Sequence, residues 1–146
     1  NIEIIKAGVK QGGYIVKDCN GKPDITIIAT GSEVSLGIKV SNRLNEFNCR
    51  VVSIPCWEKF IQLDDDSMNK IIPLNHSIKV SIEAGSTSGW ERFTKSNGLQ
   101  IGLDHFGSSA PYIDLADEFG FTPEKIETRI RNHLQYLEKM LGQDIL

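Results

Sequence analysis

Four apolar runs along the chain predict β-strands. They lie at Asp24–Thr30, Cys49–Pro55, Ile78–Ala84 and Gln100–Phe106. The first, "DITIIAT", is apolar and β-branched almost throughout, as expected of a strand that is covered on both faces. The other runs are more mixed but have the same length and character, so we expect all of them to belong to one sheet.

A shorter run before them, "GYIVKD", predicts a further strand at Tyr14–Asp18. The "CNGKP" segment that follows contains an Asn-Gly pair, which is typical of a tight reversal between antiparallel strands. We therefore expect the first strand to run antiparallel.

Segments with helical periodicity separate the strands. Helices are predicted at Glu33–Phe47, Asp64–Ile72, Gly89–Thr94, Ala110–Phe119 and Pro123–Leu141. The last has the clearest signals, because Thr122 is an expected N-cap, Pro123 suits the first helical position and Gly142 suits the C-terminal end. Strands that alternate with helices predict an α/β fold with a mostly parallel sheet and helices on both faces.

The first of these helices has two further features. Ser32 is its expected N-cap, and Glu33 places a carboxylate in the first turn, where the helix dipole favours it. Gly37 and Ser41 lie on the stripe that faces the sheet, so their small side chains allow the helix to approach it closely.

Composition and charge exclude several classes of function. The chain has 146 residues, 40% of them hydrophobic, and a net charge of −3. No Lys/Arg stripe interleaved with aromatic residues indicates a nucleic-acid partner. No apolar run approaches the roughly 18 residues of a membrane span, and we expect no membrane association.

The three cysteines, Cys19, Cys49 and Cys56, are odd in number and follow no repeated spacing. This argues against a disulfide framework and against a zinc site. We expect reduced thiols in a cytoplasmic compartment, with Cys49 packed at the start of a strand.

The first residues show little pattern and end in two glycines, and the chain does not begin with methionine. We expect residues 1–12 to be the remnant of a linker from a preceding domain and residues 13–146 to form one domain. This chain would then be a piece of a longer protein.

A candidate site lies at the carboxyl ends of the strands, where open α/β sheets bind ligands. Three turns meet there, "TGSE", "EAGSTSG" and "FGSSAP", and their N–H groups and hydroxyls could hold an anion. The residues expected at this edge are Gly31, Ser32, Ser86, His105 and Ser108. The alternative is purely structural: Gly31 permits a tight turn and Ser32 caps a helix. That alternative is favoured because no dinucleotide fingerprint or P-loop is present and Glu33 would repel a phosphate.

No residue stands out as catalytic, cofactor-binding or metal-ligating. Asp104 and His105 are neighbours on one predicted strand and point to opposite faces, so they do not form a triad with Ser108. Trp57 and Trp90 each follow a strand, and buried packing explains them better than a pocket or an interface does.

Several segments, in order, resemble the C-terminal part of transketolases. They are "GGYIVKD", "DITIIATGSEVSLGIKVSNRL", "RVVSIPCWEKF", "VSIEAG", "FGSSAP" and "EFGFTPEKI". The "FG-x-SAP" pattern favours transketolase over the related 2-oxoacid dehydrogenase beta subunits, which remain an alternative. The resemblance implies a three-layer α/β/α fold with a five-stranded sheet whose first strand is antiparallel.

The resemblance also implies a function for the complete enzyme. Transketolases use thiamine diphosphate and Mg²⁺ to move a two-carbon ketol unit between sugar phosphates in the pentose phosphate pathway, and they are homodimers. The family's diphosphate signature and the glutamate that acts on the cofactor are absent from this sequence, so no catalytic residue is assigned here. By this reading the chain is a scaffolding and association domain that contacts the remaining domains and the second subunit. The alternative from another class is a free-standing module that binds a small phosphorylated ligand.

Overall fold

The computed structural model describes residues 2–103, 117–118 and 120–142. Its strands are β1 (Tyr14–Lys17), β2 (Ile25–Ala29), β3 (Cys49–Ser53), β4 (Ile78–Glu83) and β5 (Leu99–Gly102). Its helices are α1 (Ile2–Gln11), α2 (Glu33–Arg43), α3 (Trp57–Phe60), α4 (Asp65–Ile71), α5 (Glu91–Thr94) and α6 (Pro123–Leu141).

The strands form one five-stranded sheet in the order β1-β3-β2-β4-β5. β1 pairs antiparallel with β3, and all other pairs are parallel. β2 lies at the centre, where Ile27 is in register with Val51 on one side and with Val80 on the other. The predicted mixed sheet with an antiparallel first strand is therefore confirmed. The hairpin-like reversal predicted at the Asn-Gly pair is wrong, because β1 pairs with β3 and not with the next strand, β2.

Both faces of the sheet are covered, which gives three layers and two hydrophobic cores. Successive residues of a strand point to opposite faces, so Ile27 enters one core and Ile28 the other. The first core lies under α2 and α6 and includes Ile25, Ile27, Val40, Leu44, Val51, Val80, Ile82, Ile126, Ile130, Leu134 and Leu137. The second core lies under α3, α4 and α5 and consists of Ile28, Val52, Ile54, Phe60, Ile71, Ile72, Trp90 and Phe93. This two-sided burial explains why "DITIIAT" is apolar without alternation.

Both predicted ends of α6 are confirmed, whereas α4 begins at Asp65, one residue after its predicted start. Asp64 Oδ1 accepts from the N–H of Ser67 at 2.8 Å and caps α4. Thr122 Oγ1 accepts from the N–H of Lys125 at 3.3 Å and caps α6. Gly142 ends α6 in the left-handed conformation, with φ 66°.

The predicted cap of α2 is wrong in its chemistry. Ser32 occupies the N-cap position, but its φ of −65° and ψ of −28° are already helical, and its side chain makes no capping bond. Its hydroxyl instead donates to Glu33 Oε1 at 2.8 Å. The helix also ends at Arg43, with Leu44 as its C-cap, rather than at Phe47.

The close approach of α2 to the sheet is confirmed. A Cβ atom on Gly37 would lie 3.2 Å from Ile27 Cγ2 and 3.4 Å from Val51 Cγ1. Even an alanine at this position would require the neighbouring side chains to shift by a few tenths of an ångström.

Helix α1 is not predicted by the sequence pattern. It packs against β1 through Gly8, where any Cβ atom would overlap the side chain of Tyr14. Its apolar side chains Ile2 and Ile5 remain 69% and 46% exposed. The boundary between linker and domain at residue 12 stays a prediction, and the linker segment itself is helical.

Candidate functional site

The predicted carboxyl edge begins with the turn from β2 to α2. The N–H of Glu33 donates to the carbonyl of Thr30 at 3.2 Å, and the N–H of Val34 donates to the carbonyl of Gly31 at 3.4 Å. Gly31 has φ +55°, a conformation that side chains disfavour. The glycine is therefore explained by the turn itself.

Two carboxylates dominate the electrostatics of this edge. Glu33 is only 5% exposed and accepts the hydroxyl of Ser32. The pKa of Glu83, at the end of β4, is raised, first by burial and then by the negative charge of Glu33. The two carboxylates therefore disfavour each other's negative charge.

The other residues expected at this edge are dispersed or fall outside the described part of the chain. Ser86 is exposed and its Oγ accepts from the N–H of Ser88 at 3.1 Å, which closes a local turn. No hydrogen bond among the described residues joins Ser86 to Gly31 or Ser32. His105 and Ser108 lie outside the described residues, and so does nearly all of the predicted helix Ala110–Phe119. Ligand binding at this edge therefore stays a prediction.

The tryptophans form an aromatic cluster in the second core. The ring centroids of Trp57 and Trp90 are 4.7 Å apart in an edge-to-face arrangement, and Phe93 packs against both. Trp90 is buried, whereas Trp57 is half-buried and lies under the guanidinium of Arg92 at 5.9 Å. Buried packing is confirmed for Trp90 and partly for Trp57.

All three cysteines are free thiols, as expected. Cys49 is buried at the start of β3, and burial raises the pKa of its thiol to about 12. Such a thiol is not a nucleophile at neutral pH.

A cavity lies at the opposite edge of the sheet. It has a volume of about 480 Å³ and is lined by the segments 74–79 and 94–97, which precede β4 and β5. We call it the amino-edge pocket. A smaller cavity of about 260 Å³ has Lys17 and Ser41 in its lining. Another, of about 150 Å³, has Phe47 and Leu134 in its lining. None of the three is lined by the residues predicted for the carboxyl edge.

A buried lysine forms one wall of the amino-edge pocket. Lys79 is 5% exposed, and its ammonium donates to the carbonyls of Leu74, His76 and Ser77 at 3.3, 3.1 and 3.0 Å. Burial lowers the pKa of Lys79, and the positive charge of Lys95 lowers it further. The sequence signal for this pocket is the lysine inside the apolar run "IKVSIEA", and no site was predicted from it.

Two residues in the pocket walls have unusual backbone conformations. Ser77 and Lys95 are the non-glycine residues with positive φ among the described ones, at 75° and 60°. Lys95 combines this φ with ψ −168°, a region that is almost restricted to glycine. Such a conformation costs about 1–3 kcal/mol, and it is found most often at functional sites.

The described residues contain no group of three or more His, Cys, Asp or Glu side chains that could hold a metal ion. The described residues therefore do not offer the ligands that a magnesium-bound diphosphate needs, and no step of cofactor chemistry is assigned to them. Within the same part of the chain, no helix is long and apolar enough to cross a membrane.

Comparison with known proteins gives consistent matches. The family model described as "Transketolase-like TK C-terminal domain" matches residues 12–122. Transketolase 7 of Craterostigma plantagineum is 41% identical over 125 residues, which cover 82% of this chain and 18% of that protein. The chloroplastic transketolase of Solanum tuberosum is 41% identical over 123 residues, covering 82% of this chain and 17% of that protein.

A solved structure agrees with these relatives. The transketolase from Pichia stipitis in complex with sedoheptulose 7-phosphate superposes with a TM-score of 0.81 at 30% identity, covering 96% of this chain and 20% of that one. The chain thus spans about a fifth of the length of the proteins that it matches.

Proposed function

The chain belongs to the transketolase C-terminal domain family, and on this basis we propose that it is a structural domain of a transketolase whose chemistry takes place on residues outside it. The observation that carries this proposal is the match of residues 12–122 to the C-terminal domain, supported by a hydrophobic core on each face of the sheet. Such a domain contributes stability and contact area rather than reacting groups.

The apolar side of α1 supports a contact with the rest of the enzyme. Ile2, Ile5 and Val9 fall on one stripe of this helix and remain 69%, 46% and 46% exposed. The family match begins at residue 12, directly after α1. We assign this stripe to packing against a preceding domain of the same polypeptide, because exposed apolar patches mark interaction surfaces.

The remaining properties concern the complete enzyme. It would transfer a two-carbon ketol unit between sugar phosphates in the pentose phosphate pathway, with thiamine diphosphate and Mg²⁺ held by its other domains. Sugar phosphates as substrates are supported by the sedoheptulose 7-phosphate complex of the Pichia stipitis protein. A homodimer is expected, with this domain contributing to subunit association. The free thiols support a reducing compartment, and the cytoplasm is our proposal although the Solanum tuberosum relative is chloroplastic.

An activity assay tests the absence of chemistry in this chain. The purified chain, supplied with thiamine diphosphate, Mg²⁺, xylulose 5-phosphate and ribose 5-phosphate, should form no sedoheptulose 7-phosphate. The full polypeptide, assayed in parallel, should form it. Turnover by the chain alone would overturn the proposal.

A substitution tests the role of α1. Ile5→Asp should leave the isolated chain nearly as stable, within about 0.5 kcal/mol, because a half-exposed surface position tolerates a carboxylate. In the full polypeptide the same change should cost at least about 1.5 kcal/mol, because there it buries a charge in an apolar contact. An equal loss of unfolding free energy in the isolated chain and in the full polypeptide would show that the stripe makes no contact with the rest of the enzyme.

A further inference from the structure

The charged side chains that line the amino-edge pocket are lysines. Lys79 and Lys95 line it, and none of its described lining residues is a carboxylate. His76, also in the lining, has its pKa lowered first by burial and then by the positive charges of Lys22, Lys79 and Arg50. Like charges with no counter-charge between them make the pocket attractive to an anion.

The pocket walls are held in place by short contacts. The three bonds from the Lys79 ammonium fix the loop of residues 74–77. On the other side, a Cβ atom on Gly98 would overlap the carbonyl of Thr94 and lie 2.8 Å from that of Lys79, so the loop of residues 94–98 is pressed against β4. His133 Nε2 lies 2.8 Å from the carbonyl oxygen of Asn97 and ties this loop to α6. The cavity is thus formed before any ligand arrives.

Among the described residues that line the pocket, Lys95 is the cation that is free to contact a ligand. The ammonium of Lys79 has three N–H groups, and all of them are used by backbone carbonyls. Lys95 makes no ion pair within the described part of the chain. Its backbone conformation would suit glycine better, so stability alone does not account for a lysine at this position.

We propose that the amino-edge pocket binds a compact phosphate monoester, contacted by Lys95, by the hydroxyl of Ser96 and by the side-chain amide of Asn97. A volume of about 480 Å³ suits a small metabolite. Among the described residues that line the pocket there is no Phe, Tyr or Trp for a nucleobase to stack on, which favours a small aliphatic or sugar-sized molecule over a nucleotide.

The test follows the NMR chemical shifts of the backbone amides of the ¹⁵N-labelled 146-residue chain during titration. The dispersion of the amide signals in the same spectra shows whether the chain is folded. The probes are glycerol 3-phosphate, inorganic phosphate and glycerol. Glycerol 3-phosphate should give saturable shifts confined to residues 74–79 and 94–98 at concentrations up to about 10 mM. Glycerol should give none, and tighter binding of inorganic phosphate would identify the free ion as the occupant.

Variants at Lys95 separate binding from folding. Lys95→Ala should weaken binding at least about tenfold, because it removes a charge-assisted hydrogen bond. Lys95→Arg should retain most of the affinity, and Lys39→Ala, an exposed lysine on α2, should not change it. Lys95→Gly should lose binding as Lys95→Ala does while keeping or raising the melting temperature.

Three results would overturn the proposal. They are the absence of saturable shifts with either phosphate, shifts centred on residues 31–34 at the opposite edge, and equal affinities for Lys95→Ala and the unaltered chain. A loss of melting temperature in Lys95→Gly would show that the lysine is present for stability.

Discussion

Replacing Ile130 by Ala measures how strongly α6 holds the first core. Ile130 is 0% exposed and packs with side chains of α2 and the sheet. The change removes three carbon atoms, and at about 0.8 kcal/mol for each buried methylene the lost transfer energy is about 2.4 kcal/mol. The cavity left behind adds to this, since isoleucine-to-alanine changes in cores cost about 2–5 kcal/mol. We expect a loss of about 3.5 kcal/mol in the free energy of unfolding.

The assay is urea unfolding observed by two probes that report on different layers. Far-UV circular dichroism follows the helices, whereas tryptophan fluorescence follows Trp57 and Trp90, both in the aromatic cluster of the second core. With a typical dependence of about 1–3 kcal/mol per molar urea, the midpoint should fall by between about 1.2 and 3.5 M. Both probes should move together if the two cores unfold as one cooperative unit.

Met140→Ala is the matched control, because it also removes three heavy atoms from α6 but at a side chain that is 65% exposed. It should change the free energy of unfolding by no more than about 0.5 kcal/mol. A loss below about 1 kcal/mol for Ile130→Ala would refute the assignment of α6 as the cover of the first core. A fluorescence midpoint that stays fixed while the dichroism midpoint falls would refute the single cooperative unit.

Three further predictions concern single residues. Glu83→Gln should raise the melting temperature near pH 7, because burial and a neighbouring carboxylate raise the pKa of Glu83. The stability that protonated Glu83 contributes is fully present below its unfolded pKa and is lost as the pH rises through its raised folded pKa. The exposed Glu91→Gln is the control, and a gain that does not shrink towards about pH 4 would contradict this explanation. Gly98→Ala should cost more than about 2 kcal/mol in urea unfolding because its Cβ would overlap backbone atoms, whereas Gly85→Ala, with its nearest atom at 3.4 Å, should cost less than about 1 kcal/mol. Cys49 should resist iodoacetamide at about pH 8 until the chain unfolds, as read by mass spectrometry of its peptide, and rapid native labelling would show that burial does not protect it.

The sheet and the longest helix were predictable because their signals are local. The apolar run of β2 identifies a strand buried on both faces without knowledge of its neighbours. The two ends of α6 are marked by Thr122 with Pro123 and by Gly142. These residues either pair or remove the backbone N–H and C=O groups that a helix leaves unpaired at its ends. Such signals depend on residues a few positions apart, so one sequence contains them in full.

Features that depend on tertiary contacts were missed or wrong. Helix α1 has a glycine at position 8, which lowers its intrinsic helix propensity, and the packing of Gly8 on Tyr14 is not visible in the sequence. Ser32 was correctly predicted to occupy the N-cap position of α2. The neighbouring Glu33 carboxylate accepts its hydroxyl, and this competing bond cannot be deduced from capping preferences.

The amino-edge pocket could not have been derived from the sequence alone. Its two walls are about 20 positions apart along the chain and meet only because β4 and β5 pair in parallel. The glycine-like backbone of Lys95 has no sequence signature, since lysine is an ordinary residue after a helix. Lys79 alone, a charge within an apolar strand, signalled that something polar lies at this edge.

Charged side chains at the two edges of the sheet are explained by the ends of the backbone elements. At the carboxyl edge, helix N-termini favour negative charge, and Glu33 already supplies it within the chain. At the amino edge, unsatisfied carbonyls attract cations: Arg50 donates to the carbonyls at the end of α4, and Lys79 donates to those of the following loop. Those cations are therefore explained by the fold and are not in themselves a sign of a ligand. Lys95 differs, because it neutralises no carboxylate in the described structure and occupies a conformation that disfavours it, so the behaviour of this one side chain decides whether the pocket is a binding site or a by-product of the sheet.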